Sequence, residues 1–225
     1  MKDLIRKSFR RLNSYLLFIK GDPFTRAVRR WFKDRGDETL RLDYPLSDKS
    51  VVFDIGGYKG EWASGIQNKF GCRVFVFEPM PKFADALKKQ FSENTKIKVL
   101  DFGLGMDDAE FELSDAADGS SAFRVNQSTQ TVLAKCRKFD PALLNSFGVE
   151  HIDLIKINIE GAEYDLLTHI IDSGLIDHIN YLQIQFHDFV PDAARRRLGI
   201  RKALSHTHRE NWCYEFVWES WQKLV

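Results

Sequence analysis

Val51-Val52-Phe53-Asp54-Ile55-Gly56-Gly57-Tyr58-Lys59-Gly60 decides how this chain folds. An apolar run closed by an acid and a glycine turn reads as a parallel strand buried on both faces. Gly56 and Gly57 let the backbone turn where a side chain would clash. Gly60 then opens a helix expected over residues 61–70, with Trp62, Ala63, Ile66 and Phe70 on its apolar side. Strand, glycine turn and helix N-terminus together make a crevice at the strand's carboxyl end, where open α/β sheets bind their ligands.

The spacing of the glycines narrows the ligand. A dinucleotide fingerprint needs G-x-G-x-x-G, and Tyr58 stands in the place of its second glycine. No G-x-x-x-x-G-K-[ST] phosphate loop is present. The pattern here, D-x-G-x-x-x-G, resembles the first motif of S-adenosylmethionine-dependent methyltransferases, although a plain βα loop can also read this way. Glu78 adds to it. It lies 22 residues beyond Gly56, at the tip of the next expected strand, 73–77. An acid there can accept hydrogen bonds from both hydroxyls of a ribose. Its structural alternative is an acid favoured by the dipole of the helix that follows Pro79 and Pro81.

Downstream, strands are expected at 97–100, 111–113, 131–136, 152–159, 179–186 and 212–218, with a turn at Gly103 and Gly105 and a polar loop over 114–128. Helices are expected after Pro81, over 140–147, 164–171 and 193–205. A short strand over 38–44 precedes the core. Alternation of strand and helix gives an α/β fold, a doubly wound and mostly parallel sheet of the Rossmann-like kind, with the last strand antiparallel near an edge.

Along 152–159, Ile155, Ile157 and Ile159 point one way while Lys156, Asn158 and Glu160 point the other. Polar side chains on a buried strand each need a partner. Gln183, Gln185 and His187 form a similar row on the next strand. Two such rows converging at the carboxyl ends of neighbouring strands read as a site; the alternative is a solvated sheet face near an edge. His187 could take a proton from a hydroxyl, or could be a hydrogen-bonded core histidine. Glu160 is the alternative base. His206 and His208 with Glu210 could suggest a metal, as could Asn158 and Glu160, but hard cations want several oxygen ligands and only Glu160 and Asp188 are clear anions at the strand ends, so no metal is assigned.

The 225 residues, 44% of them hydrophobic, suffice for one α/β domain with a sizeable core. Net charge is +1, yet residues 1–35 carry eleven Lys/Arg against three Asp. We therefore divide the chain into a basic helical segment, 1–37, and a catalytic domain, 38–225. Ile5, Phe9, Leu12, Leu16 and Ile19 form an apolar helical stripe, and a second helix is expected over 24–33. This segment is either a peripheral contact with a membrane or anionic partner, or simply a solvated helical cap on the domain, the simpler reading. Three scattered cysteines, Cys72, Cys136 and Cys213, point to a reducing compartment. With no span of ~20 apolar residues and no signal-peptide core, the expectation is a cytoplasmic protein.

The sequence resembles the FkbM-type methyltransferases, a branch of the class I S-adenosylmethionine-dependent enzymes. Three stretches carry the likeness: Asp54 to Gly60, Phe75-Val-Phe-Glu-Pro79, and Ile155-Lys-Ile-Asn-Ile-Glu-Gly-Ala-Glu163. Ser120-Ser121 is similar to a serine-bearing loop of that family. The chain departs from it at Asn158, where the family usually has aspartate, which removes a charge but keeps a hydrogen-bonding oxygen. The resemblance implies S-adenosylmethionine as cofactor, held by Asp54, Gly56, Gly57, Tyr58, Gly60, Glu78, Pro79, Phe102, Gly103, Ser121 and Asn158, with His187 and Glu160 as the catalytic candidates. It implies O-methylation of a sugar hydroxyl in a surface glycan, or of a natural product. Two other readings stand beside it: a non-catalytic binding module of the same fold, which Asn158 would favour, and an RNA methyltransferase, suggested by the basic N-terminus and Arg195–Arg197. Near-neutral total charge and the lack of an RNA-binding motif count against nucleic acid.

Overall fold

The computed structural model describes residues 21–114 and 131–224. A seven-stranded sheet organises them: β1 (Val51–Ile55), β2 (Arg73–Phe77), β3 (Ile97–Leu100), β7 (Ile152–Ile157), β8 (Ile179–Ile184), β9 (His208–Tyr214) and β10 (Trp218–Lys223), in the order β3-β2-β1-β7-β8-β10-β9. The first five in that order are mutually parallel, and β10 runs antiparallel between β8 and β9. Parallel pairing follows from the crossover helices: α2 (Glu61–Phe70) joins β1 to β2, α3 (Pro81–Gln90) joins β2 to β3, and α5 (Glu163–Asp172) joins β7 to β8. Before β7 lies α4 (Pro141–Ser146), and before β9 lies α6 (Ala193–Leu204).

Strand alternation divides the core between two faces. Val52, Val74, Val76 and Leu154 pack on Trp62, Ala63 and Ile66 of α2 and on Leu87 of α3. Phe53, Ile55, Phe77, Ile155 and Ile157 meet α4, α5 and α6 on the other face. The two faces are largely apolar, so these strands read as near-continuous hydrophobic runs, broken by the buried Asp54, Lys156 and Gln183. On α6, Arg197 and Arg201 both reach Glu219 Oε2, at 2.6 and 2.8 Å, which ties the helix to β10.

Several elements differ from expectation. Residues 38–44 alternate Leu40, Leu42 and Tyr44, as a strand would, but Leu40–Leu42 is a 3-10 turn. Its Arg41 carbonyl accepts from Trp62 Nε1 and Gln183 Nε2, so side chains rather than a neighbouring strand satisfy it. The aromatic run 212–218 is not one strand but the turn of a hairpin. Phe216 adopts φ 57° and Val217 N donates to Tyr214 O, a reversal made without glycine, proline or asparagine. Gly103 and Gly105 bound a strand, β4 (Gly103–Gly105), rather than a turn. With β5 (Ala109–Ser114) and β6 (Thr131–Lys138) it forms a separate three-stranded sheet in the order β4-β6-β5. The helical stripe of residues 4–19, the loop 114–128 beyond its first residue, and Ser121 lie outside the described residues. The helix α1 (Pro23–Lys33) packs Ala27 and Trp31 against Tyr214 and Trp218 of the terminal hairpin.

Candidate active site

Strand order reverses direction between β1 and β7: β2 and β3 lie on one side of β1, β7 and β8 on the other. A cavity of about 660 Å³ opens at the carboxyl ends of these strands, as expected of such a switch point. Its floor is the turn after β1 (Ile55, Gly56, Tyr58), the end of β2 (Phe77, Glu78, Pro79) and the segment after β7 (Asn158, Ile159, Glu160). The second sheet supplies the facing wall through Gly103, Leu104, Met106, Ala109, Phe111 and Cys136.

The turn after β1 is shaped by contact with its neighbours. Gly56 has φ 85°, and a Cβ there would lie 2.0 Å from the carbonyl oxygen of Asn158. Its N–H donates to Phe77 O at 2.9 Å. Gly56 is therefore required by the close approach of β7's end. Gly57 and Gly60 abut Val76 and Leu87, away from the cavity. Beneath the turn, Lys156 Nζ donates to Asp54 Oδ1 at 2.8 Å and to Gly56 O at 2.7 Å. Both charged side chains are buried, at 5% and 0% exposure. Asp54 thus anchors the turn from below and does not line the cavity.

Glu78 is buried and does line it. Its Oε2 accepts from Tyr58 N at 2.8 Å and its Oε1 from Met80 N at 3.0 Å. Desolvation pushes its carboxyl above the usual range, against those two backbone N–H groups. Each carboxylate oxygen can accept a second hydrogen bond. Tyr58 and Phe83 stand beside it edge to face, 4.8 Å apart.

The polar rows converge only at their ends. Lys156 is spent on Asp54, and Gln183 is buried between the Arg41 carbonyl and the Tyr44 hydroxyl. Asn158 and Glu160 follow the end of β7 and line the cavity. Asn158 Oδ1 is buried and has no hydrogen-bond partner among the described residues. Glu160 sits in the left-handed region, φ 51°.

His187 stands behind Glu160 rather than in the cavity lining. Its Nδ1 is 3.1 Å and its backbone N 2.9 Å from Glu163 Oε1, and its Nε2 is 3.6 Å from Glu160 Oε1. Burial alone would lower the histidine's pKa. The two carboxylates outweigh it and hold it at about 9, so the ring is an imidazolium at neutral pH. Glu163 is fully buried and also accepts from Gly161 N at 2.8 Å. Its place three residues after Glu160 was the available signal for its part in this cluster.

Of the expected cofactor residues, Gly56, Tyr58, Glu78, Pro79, Gly103 and Asn158 line the cavity. Asp54, Gly57, Gly60 and Phe102 support its walls from behind. No cluster of metal-binding side chains occurs among the described residues. Sequence reasoning did not find Phe83, Met106, Asp107, Phe111 or Asp165: Met106, Asp107 and Phe111 face the cavity only once the second sheet is folded over it, and Phe83 and Asp165 reach it from α3 and α5.

Residues 54–209 match the methyltransferase FkbM domain. The chain belongs to the FkbM methyltransferase family. Among curated proteins none matches the sequence. The fold of this FkbM domain is similar to that of a candidate rRNA methylase from Clostridium thermocellum, with TM-score 0.54, 8% identity, and 85% of this chain and 95% of that one covered. It is also similar to a candidate methyltransferase from Streptococcus mutans, solved in complex with SAH, with TM-score 0.50, 10% identity, and 82% and 94% covered. As an FkbM methyltransferase the chain uses S-adenosylmethionine. The cavity fits that cofactor. Its volume lies within the ~300–1,000 Å³ of small-molecule sites. Glu78 has acceptor capacity left for a diol, and the orphaned Asn158 oxygen asks for a donor such as an ammonium.

Proposed function

We propose that this FkbM domain methylates a hydroxyl oxygen, that of a sugar in a surface glycan or of a natural product. The observation that carries this reading is the charge of the cavity. Its described lining includes Glu78, Asp107, Glu160 and Asp165 and no lysine, arginine or histidine, although Asp165 pairs with Arg196 and Glu160 with the His187 imidazolium behind the wall. A phosphate-rich acceptor would find no cation in that lining, whereas a neutral polyol would find hydrogen-bond acceptors.

Glu78 would hold the ribose hydroxyls, Asn158 the methionine ammonium, and Tyr58, Pro79 and Gly103 the remaining surface of the cofactor. When bound, S-adenosylmethionine supplies an electrophilic methyl group. Glu160 would take the proton from the acceptor hydroxyl as its oxygen bonds the methyl carbon, the methyl–sulfur bond breaking and its electron pair leaving with sulfur as S-adenosylhomocysteine. General-base help of this kind contributes about 10²–10⁴-fold in rate. His187, already protonated, is a positioning residue: with Glu163 behind it, the imidazolium fixes the Glu160 carboxylate. The free thiols of Cys72, Cys136 and Cys213 support a reducing, cytoplasmic setting.

The test is mass-spectrometric detection of methylated product from a panel of oligosaccharides, hydroxylated natural products and structured RNA, each with S-adenosylmethionine. Methylation of a hydroxylated acceptor, with Glu160→Gln slowed by about 10²-fold or more at unchanged cofactor affinity, is the expected result. Turnover of RNA alone would overturn the reading.

A further inference from the structure

Helix α1 carries more than a packing face. Ala27 and Trp31, at i and i+4, are buried against the terminal hairpin. Arg26, Arg29, Arg30 and Lys33 follow at i, i+3, i+4 and i+7 and are all exposed, so they share one flank of the helix. Phe24, Val28 and Phe32, at i, i+4 and i+8, form the other flank, with Phe24 and Phe32 at 44% and 70% exposure. The nearby acids are engaged elsewhere: Asp22 caps the helix through Thr25, and Asp34 accepts from Tyr214. Arg30 lies over the Tyr214 ring at 4.8 Å and Arg26 donates to Gly21 O, while Arg29 and Lys33 have no acidic partner among the described residues.

We propose that α1 docks this protein on an anionic lipid surface. A basic row beside an exposed aromatic row is the arrangement of an interfacial helix: the cations meet lipid headgroups while the rings enter the headgroup–acyl boundary. A duplex phosphate backbone would engage the cations but leave Phe24 and Phe32 unused, and a single strand, whose bases could stack on the rings, is an outcome of the test below. Position supports the lipid surface as well. α1 covers Tyr214 and Trp218, which pair with each other next to the Glu219–Ile184 pair at the carboxyl end of β8. That is the end of the sheet at which the cavity opens. β9 is three strand spacings from β7, on the order of 15 Å. Docking through α1 would therefore bring a lipid-borne molecule close to the cavity, though the docking itself does not depend on which acceptor is methylated.

Sedimentation of the full chain with vesicles tests this, using phosphatidylcholine alone and phosphatidylcholine mixed with phosphatidylglycerol. The chain should bind the mixed vesicles, release with added salt, and ignore the neutral ones. Arg29→Glu with Lys33→Glu should weaken binding by about 30-fold or more, and Phe32→Ser by about 10-fold. Neither should alter melting temperature or S-adenosylmethionine affinity, since both sites are exposed and away from the cavity. A parent that ignores anionic vesicles, or a doubly charge-reversed variant that binds as the parent does, would overturn the proposal. So would a Phe32→Ser variant with undiminished vesicle binding whose parent is displaced by single-stranded RNA, which would make the flank a nucleic-acid surface.

Discussion

Raising the pH from about 6 to about 10 titrates His187 inside its clamp, and the cost follows from the geometry. The ring lies 3.1 Å from Glu163 and 3.6 Å from Glu160, with a side chain only 10% exposed. Its pKa rises from 6.5 to about 9. That difference corresponds to about 3 kcal/mol of stabilisation by the protonated ring. Because the folded-state value is raised, the stabilisation is fully present below 6.5 and is lost progressively as pH climbs through about 9. Urea unfolding of the parent and of His187→Gln across this range measures it. The stability advantage of the parent should fall by about 3 kcal/mol between the two limits. The rate profile should agree. A histidine acting as base would give activity rising through its ordinary titration, whereas the clamped imidazolium gives activity level there and declining toward about 9. Parallel loss of stability in parent and variant, or activity that rises through 6.5, would refute the clamp.

Glu78→Gln should weaken S-adenosylmethionine binding by about 1–3 kcal/mol in calorimetry, the cost of unmade charged hydrogen bonds; equal affinity would remove Glu78 from the site. Gly56→Ala should fail by unfolding rather than by blocking the cofactor, because its methyl group meets the Asn158 carbonyl; a variant with normal melting temperature but no binding would contradict this. Lys156→Met should cost about 3–5 kcal/mol in denaturant unfolding by stranding the buried Asp54 carboxylate, and Asp54→Leu added to it should recover much of that loss. A double variant less stable than the single one would show that the pair is not the source of the cost.

The parallel core was legible because its strands are apolar on both faces and are punctuated by glycine or proline, as in Val51–Gly57 and Arg73–Pro79. The terminal hairpin was not. Its turn is built from Glu215, Phe216 and Val217, residues that look like strand, and only tertiary packing holds Phe216 in a left-handed conformation. Residues 38–44 misled for the same reason: Leu42 and Tyr44 pack on the core beside α2, while Leu40 packs against α1 and the terminal hairpin, all from a turn. At the site, the glycine turn, Glu78, Asn158 and Glu160 could be found because each follows a strand end. The charge state of His187 could not, since it depends on Glu163 arriving from a different element. Lys156 was read as facing the site from alternation, which gives the face and not the depth, and Asp54 from the glycine motif; both lie below the turn.

The cavity's two sides are written in different parts of the chain. One comes from turns that follow β1, β2 and β7 and are locked to each other by backbone contacts such as Gly56 against Asn158. The other comes largely from β4, β5 and β6, which pair among themselves and share no strand pairing with the main sheet. Substitution along Ala109–Ser114 or Thr131–Lys138 can therefore remodel one wall while the opposite one keeps its shape, whereas Leu104 of β4 packs into the main core. Exchanging β5 and β6 with those of a relative would alter that wall and leave Gly56, Glu78 and Asn158 where they stand.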